Sequence, residues 1–336
     1  MTADIAGPPT EANASTRDGV DWRRLSRSDT LVDLVPAGTI AEPPSGVSHI
    51  GTSVRGRFRL DQVIGSGAMG TVFGGLDDQN GAEVAVKILH DKFAQSEQHV
   101  GRFLHEAHIQ RAIPHPGVVK VIDFGRDEEG RWFLALERLQ GVELGSVLDT
   151  GGALPSEEVV EIGHQLLSVL AAAHGHGVIH RDVKPENIFL ARNEEGQLRV
   201  KLLDFGIAKT SGSVPFAGAV RTHEGVKLGT PHYMSPEQWR GEPLSARSDV
   251  WAAGAVLYTA VMGIPPHDAD DLGELMDHIT TKAAPNLAKL RPEIGPAFVD
   301  TIDRALATLP EKRFADCRAM AAALHTGGVR VEELDW

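Results

Sequence analysis

Asp182, Asn187 and Asp204 are the side chains whose type and spacing could most directly do chemistry in this chain. They stand in Val178-Ile179-His180-Arg181-Asp182-Val183-Lys184-Pro185-Glu186-Asn187 and in Asp204-Phe205-Gly206. Asp182 can accept a proton, while Asn187 and Asp204 can hold magnesium. Phosphoryl transfer asks little more of protein side chains than positioned charge, a metal clamp and an oriented hydroxyl. Such a set works only if other elements deliver a nucleotide to it.

Those elements occur in the required order. Ile64-Gly65-Ser66-Gly67-Ala68-Met69-Gly70-Thr71-Val72 can form a phosphate lid, because glycine lets the backbone approach phosphates and turn back sharply. G-x-G-x-x-G alone is weak, being shared with dinucleotide-binding folds. Here its apolar flanks read as two strands of a hairpin, not as a strand feeding a helix. Val84-Ala85-Val86-Lys87 then alternates like a strand and ends in a lysine; without the glycine lid it would read as a surface lysine on an edge strand. The stretch from about Ser96 to Ala112 carries Val100, Phe103, Leu104 and Ala107 at helical spacing. Glu106 flanks that stripe and can point toward Lys87, the alternative being a solvated helix glutamate.

The segment around Asp182 resembles the catalytic loop of eukaryotic-type protein Ser/Thr kinases almost letter for letter. The resemblance runs from about Phe58 to Leu324 and is greatest to bacterial kinases of that type. Glu106 matches the family's helix glutamate, ahead of His115-Pro116-Gly117-Val118-Val119, and Gln110 stands where the family is usually apolar. Leu136-Glu137-Arg138-Leu139 resembles the hinge, with Leu136 as gatekeeper. Gly229-Thr230-Pro231-His232-Tyr233-Met234-Ser235-Pro236-Glu237 resembles the substrate-docking loop and its A-P-E anchor, with Ser235 in place of alanine. Asp249 matches the aspartate that steadies the catalytic loop, and Arg313 the arginine that pairs with Glu237. The aspartate usually opening that last motif is missing near Leu309, which implies a local capping change.

The resemblance implies an α+β, bilobal fold: a β-rich lobe with one major helix, then a mainly helical lobe. It implies ATP with Mg2+, or Mn2+ in its place, and transfer of the γ-phosphoryl group to Ser or Thr hydroxyls of proteins, including the chain itself through a transient homodimer. Nucleotide contacts would come from Ile64, Gly65, Ser66, Gly67, Ala68, Met69, Gly70, Glu137 and Leu139, with Val72, Ala85 and Phe189 sandwiching the base. Lys87, held by Glu106, would position the phosphates; Asn187 and Asp204 would bind the metal. Asp182 would orient the acceptor hydroxyl and take its proton, Lys184 would neutralise the migrating group, and Thr230 would favour an alcohol acceptor. His180 is expected to pack, not to carry protons. Glu143 and Glu186 match places where basophilic relatives receive arginine, although Glu186 also belongs to the common K-P-E-N motif. Thr222 is the expected activating phosphosite, with Arg181 and Lys209 as its cations and Glu224 supplying part of a second negative charge. A nucleotide-sensing scaffold usually lacks Lys87, Asp182 or Asp204, and the complete lid and docking loop disfavour small-molecule phosphotransferases.

Asp123-Phe124-Gly125 repeats the metal-binding tripeptide ahead of the catalytic loop and runs into Arg126-Asp127-Glu128-Glu129-Gly130, a polar hairpin turn. It is read as structural. Residues 1–55 are rich in Pro, Ala and Ser with no sustained apolar period, and read as a largely disordered tail, with Trp22 to Val35 as a possible short docking segment. The catalytic domain is expected over 56–326: small lobe 56–137, hinge about 137–141, large lobe 142–326, then a short tail 327–336. The longest apolar run, from Val250 to Ile264, is too short to span a bilayer and reads as a buried helix. One cysteine, Cys317, and no secretory signal point to the cytoplasm. A net charge of -13 argues against nucleic-acid binding.

Overall fold

The computed structural model describes residues 49–67, 69–192, 196–205 and 231–325. Ala68, Lys209, Thr222, Glu224, Thr230 and the two tails (up to 48 and from 326) lie outside the described residues.

Alternation builds the small lobe. Strands β1 (Ser53–Val54), β2 (Phe58–Ser66), β3 (Gly70–Asp77) and β4 (Ala82–Leu89) are followed by helices α1 (Asp91–Ala94) and α2 (Glu97–Ala112), then β5 (Val121–Arg126) and β6 (Trp132–Glu137). The sheet order is β1-β2-β3-β4-β6-β5, each pair antiparallel. Successive strand residues face opposite ways. Phe133 and Ala135 therefore join Phe58, Phe73, Val84 and Val86 on one face, while Leu134 packs with Phe103 and Ala107 of α2 on the other. Ser96 caps α2 by accepting from the His99 N–H.

The lobe begins earlier than residue 56. Val54 is fully buried, and β1 pairs with β2. Arg131, itself buried and paired with Asp127 at 2.6 Å, donates to the Ser53 carbonyl at 3.2 Å. Arg55 pairs with Asp123 at 3.2 Å. These contacts strap residues 49–55 across the sheet, so the expected boundary at 56 is corrected. A two-residue strand has no readable period, and its anchor lies far along the chain. The same contacts give Asp123 an arginine partner.

The large lobe opens with β7 (Gly141–Glu143), α3 (Leu144–Gly151) and α4 (Ser156–Gly175). Next come β8 (Ile188–Arg192) and β9 (Leu198–Leu202), which form a three-stranded sheet with β7. Helices α5 (Pro236–Arg240), α6 (Ala246–Met262), α7 (Leu272–Thr281), α8 (Leu287–Leu290), α9 (Pro296–Ala305) and α10 (Cys317–Ala323) complete it. Residues Ser248 to Val261 of α6 are all buried, which fits a helix that is apolar on every side. It ends at Met262, and Ile264 is exposed. Around α6 pack α4, α9 and α10.

Candidate active site

A cleft of about 540 Å³ lies between the lobes, within the size range of small-molecule sites. Its roof is the β2–β3 hairpin, closed by a bond from Gly67 N–H to the Gly70 carbonyl at 2.9 Å. A Cβ on Gly70 would stand 2.4 Å from the Ile88 carbonyl of β4, so only glycine fits there. Ile64, Val72, Ala85, Leu136, Leu139 and Phe189 line the apolar part, while Lys87, Glu106, Asp182, Asn187 and Asp204 line the polar end. Residues far apart in sequence thus share one cavity. Asp123 does not line it.

At the polar end, Lys87 Nζ lies 3.3 Å from Asp204 Oδ1. The expected direct grip of Glu106 on Lys87 is corrected: the direct ion-pair partner is Asp204. Glu106 lines the same end of the cleft and feels the charge of both groups. Burial pushes its carboxyl up to about 7; Lys87 opposes the shift and Asp204 adds to it. A carboxyl held near neutrality contributes little charge to the lysine, and the direct contact of Lys87 is with Asp204.

The catalytic segment is suspended from α6. Asp249 accepts from the His180 N–H (2.8 Å) through Oδ2 and from the Arg181 N–H (2.9 Å) through Oδ1. His174 adds a 2.7 Å bond to Oδ2. His180 is fully buried, and burial holds its imidazole below its ordinary range. Its Nδ1 accepts from the Asp182 N–H and its Nε2 faces the Leu203 carbonyl, each at 3.3 Å, which assigns the neutral tautomer. Its ring lies 5.1 Å from that of the buried Phe205. This is a packing role.

Asn187 Nδ2 donates to the Asp182 carbonyl (2.8 Å) and to Asp182 Oδ2 (3.2 Å), and Lys184 Nζ is 3.6 Å from that oxygen. Among the described residues, no three His, Cys, Asp or Glu side chains form a metal-binding group. The oxygens of Asp204 and Asn187 are nevertheless hard donors. They suit a cation such as magnesium, which takes one or two protein ligands and completes its shell with water and phosphate. The donor chemistry fits.

Two features of the site were not legible in the sequence. Glu137, assigned to the hinge for its backbone, turns its carboxylate away from the strand to accept from Lys120 N–H (2.8 Å) and Lys201 Nζ (2.5 Å). Gln110, the departure from an apolar pattern, is buried and donates Nε2 to the Val119 carbonyl at 2.8 Å. Its being polar was the available signal; its partner, nine residues on, was not.

The fold and this cleft define a class. The protein kinase domain family matches residues 58–325, and the chain belongs to it. It is similar to the serine/threonine-protein kinase pkn3 of Myxococcus xanthus, 38% identical over 284 residues that cover 84% of this chain and 52% of that protein. It is 36% identical over 271 residues to PknA of Mycobacterium tuberculosis, covering 79% of this chain and 60% of that one. The chain spans about half the length of the relatives it matches. Among solved structures, the PknI kinase domain of Mycobacterium tuberculosis matches with a TM-score of 0.62 at 27% identity, covering 82% of this chain and 97% of that one. Rad53 1-466 in complex with AMP-PNP matches with a TM-score of 0.63 at 25% identity, covering 79% and 64%. Members of the family act on proteins and generally use ATP with a divalent metal. No described helix is long and apolar enough to cross a membrane.

Proposed function

We propose that the chain transfers the γ-phosphoryl group of ATP to Ser and Thr hydroxyls of proteins, its own included, when two copies meet. The observation that carries this reading is the convergence of Lys87, Asp182, Asn187 and Asp204 in one cleft. Magnesium, or manganese in its place, supplies charge neutralisation across the nucleotide phosphates when bound. Asp204 and Asn187 would hold that ion. Lys87 fixes the phosphates, with Glu106 lining the same end of the cleft. Asp182 orients the acceptor hydroxyl and takes its proton, and Lys184, close beside it, offsets charge on the migrating group. The lid residues and the edge formed by Glu137 and Leu139 hold the rest of the nucleotide, with Phe189 beneath the base.

The test is transfer from labelled Mg-ATP to a generic Ser/Thr acceptor protein and to the chain itself. Asp182→Ala should abolish transfer and largely spare nucleotide binding, while Lys87→Met should weaken both. Wild-type transfer no greater than that of Asp182→Ala would leave a nucleotide-sensing scaffold as the better reading.

A further inference from the structure

Gln238 follows the Ser235-Pro236-Glu237 anchor and closes a capping box at the start of α5. Its Oε1 accepts from the Ser235 N–H at 3.0 Å and from the Ser235 hydroxyl at 3.2 Å. A cap needs nothing more. The other end of the amide nevertheless reaches across to the catalytic segment, where Nε2 donates to the Arg181 carbonyl at 2.8 Å.

That carbonyl belongs to the peptide joining Arg181 to Asp182. The same planar unit is held at its other end, where the Asp182 N–H donates to His180 Nδ1 at 3.3 Å. Arg181 itself sits at φ 67, a left-handed conformation that a non-glycine residue keeps only where its surroundings impose it. Asp249 fixes the Arg181 N–H on one side, and Gln238 fixes its carbonyl on the other. A peptide plane pinned at both its oxygen and its hydrogen sets the torsions on either side. It therefore sets the direction in which the Asp182 side chain leaves the backbone.

We propose that Gln238 is a positioning residue for phosphoryl transfer, aiming Asp182 from the segment that follows the acceptor-docking loop. This inference rests on Asp182 being the group that meets the acceptor hydroxyl. Only an amide satisfies both ends at once: an ionised carboxylate can accept from Ser235 but cannot donate to Arg181, and an aliphatic side chain does neither. One side chain thus ties the backbone of Ser235 to the backbone before the base.

The experiment uses the full chain with Mg-ATP and a Ser/Thr acceptor protein, with turnover normalised to the stoichiometry of bound nucleotide analogue. Gln238→Glu and Gln238→Leu should each lower kcat per nucleotide site by about tenfold or more, the scale of one lost hydrogen bond to a reacting geometry. The KM for ATP should stay within roughly twofold, since the nucleotide contacts are untouched. Gln238→Glu keeps the cap acceptor, so its melting temperature should stay near that of the wild type. Its activity relative to wild type should recover as the pH is lowered from about 7 to about 5, toward the ordinary glutamate value of about 4.3, because a protonated carboxyl regains a donor for the Arg181 carbonyl. A purely capping role would give a Gln238→Glu enzyme with wild-type kcat and a flat relative pH profile, and that result overturns the proposal. If Gln238→Leu does not fold, Gln238→Glu decides alone. A wild-type chain that binds nucleotide but transfers nothing defeats the active-site reading and the proposal together. An active wild type with unaltered Gln238→Glu defeats only the proposal.

Discussion

Replacing Arg313 with methionine should cost the fold more than any exposed substitution. The Arg313 side chain is fully buried and makes two bonds to the Glu237 carboxylate, each 2.8 Å. It also donates to the carbonyls of Ala307 (2.7 Å), Arg247 (2.9 Å) and Thr308 (3.1 Å), and its guanidinium lies 5.0 Å from the Trp251 ring. Methionine keeps much of the volume and removes every donor. Stranding one partner of a buried pair costs about 3–5 kcal/mol, and the three undonated carbonyls push toward the upper end. At roughly 2–4 °C per kcal/mol for a large domain, Tm should fall by about 10 °C. Thermal and urea denaturation of Arg313→Met, Glu237→Gln and the double variant give the coupling, expected to be at least about 2 kcal/mol. Acid adds a second test. Burial alone would raise the Glu237 carboxyl, but Arg313 and the Ser248 hydroxyl outweigh it and hold it below its usual range. A group so depressed stabilises the fold above its unfolded value, about 4.3, and loses that contribution as the pH falls through the lower folded value. In Arg313→Met the largest opposing cause is gone and only the Ser248 hydroxyl and a backbone N–H still counter burial, so Glu237 rises and the variant loses less stability than the wild type as the pH falls. The gap between wild type and variant should therefore narrow from neutral pH toward pH 4. An unchanged Tm at neutral pH, or a gap indifferent to acid, would refute the reasoning.

Gln110→Leu should trade the bond to the Val119 carbonyl for apolar contact and lower stability by about 1–2 kcal/mol in urea; no loss would mean that this carbonyl finds another donor. His267 is buried and stacked on Trp251 at 6.3 Å, and burial, helped by His278 and Lys282, lowers its imidazole to about 4. The unfolded chain therefore takes up a proton near pH 6.5 that the folded chain refuses until about 4, so wild-type stability drops across that interval. His267→Phe, which keeps a ring over Trp251, should flatten that acid limb by roughly 3 kcal/mol; an unchanged slope between pH 6.5 and 4 would show that His267 ionises freely.

The bilobal fold was legible because local patterns and global order agree. The glycine lid, the lysine strand, the buried α6 run and the apolar stripe of α2 each announce themselves within a few residues. What the sequence could not disclose is which distant groups finish one another's hydrogen bonds. Glu137 reads as a hinge residue until Lys201 is seen against it, and nothing in the sequence near Arg131 points to the Ser53 carbonyl it meets. Lys87 and Glu106 were expected to touch, because a pattern of residue types carries no distances; in the cleft, Asp204 is the nearer anion. Ser235 in place of alanine opens a Ser-x-x-Gln capping pattern that the sequence carries, but the reach of Gln238 to the Arg181 carbonyl, 57 positions away, is visible only in the fold.

The brace between Glu237 and Arg313 also sets an order of events at the ribosome. The two residues are 76 positions apart, so at about 5–20 residues per second the arginine is added roughly 4–15 s after the glutamate. Lys87, Asp182 and Asp204 have all been made by then, but the carboxylate that anchors the end of the docking loop has no cation to enter the core with. A nascent chain in that interval carries the chemical groups of the site without its finished floor. A late-made stretch of the large lobe therefore secures the end of the docking loop, and a chain truncated before Arg313 should be left with the catalytic groups but without that brace.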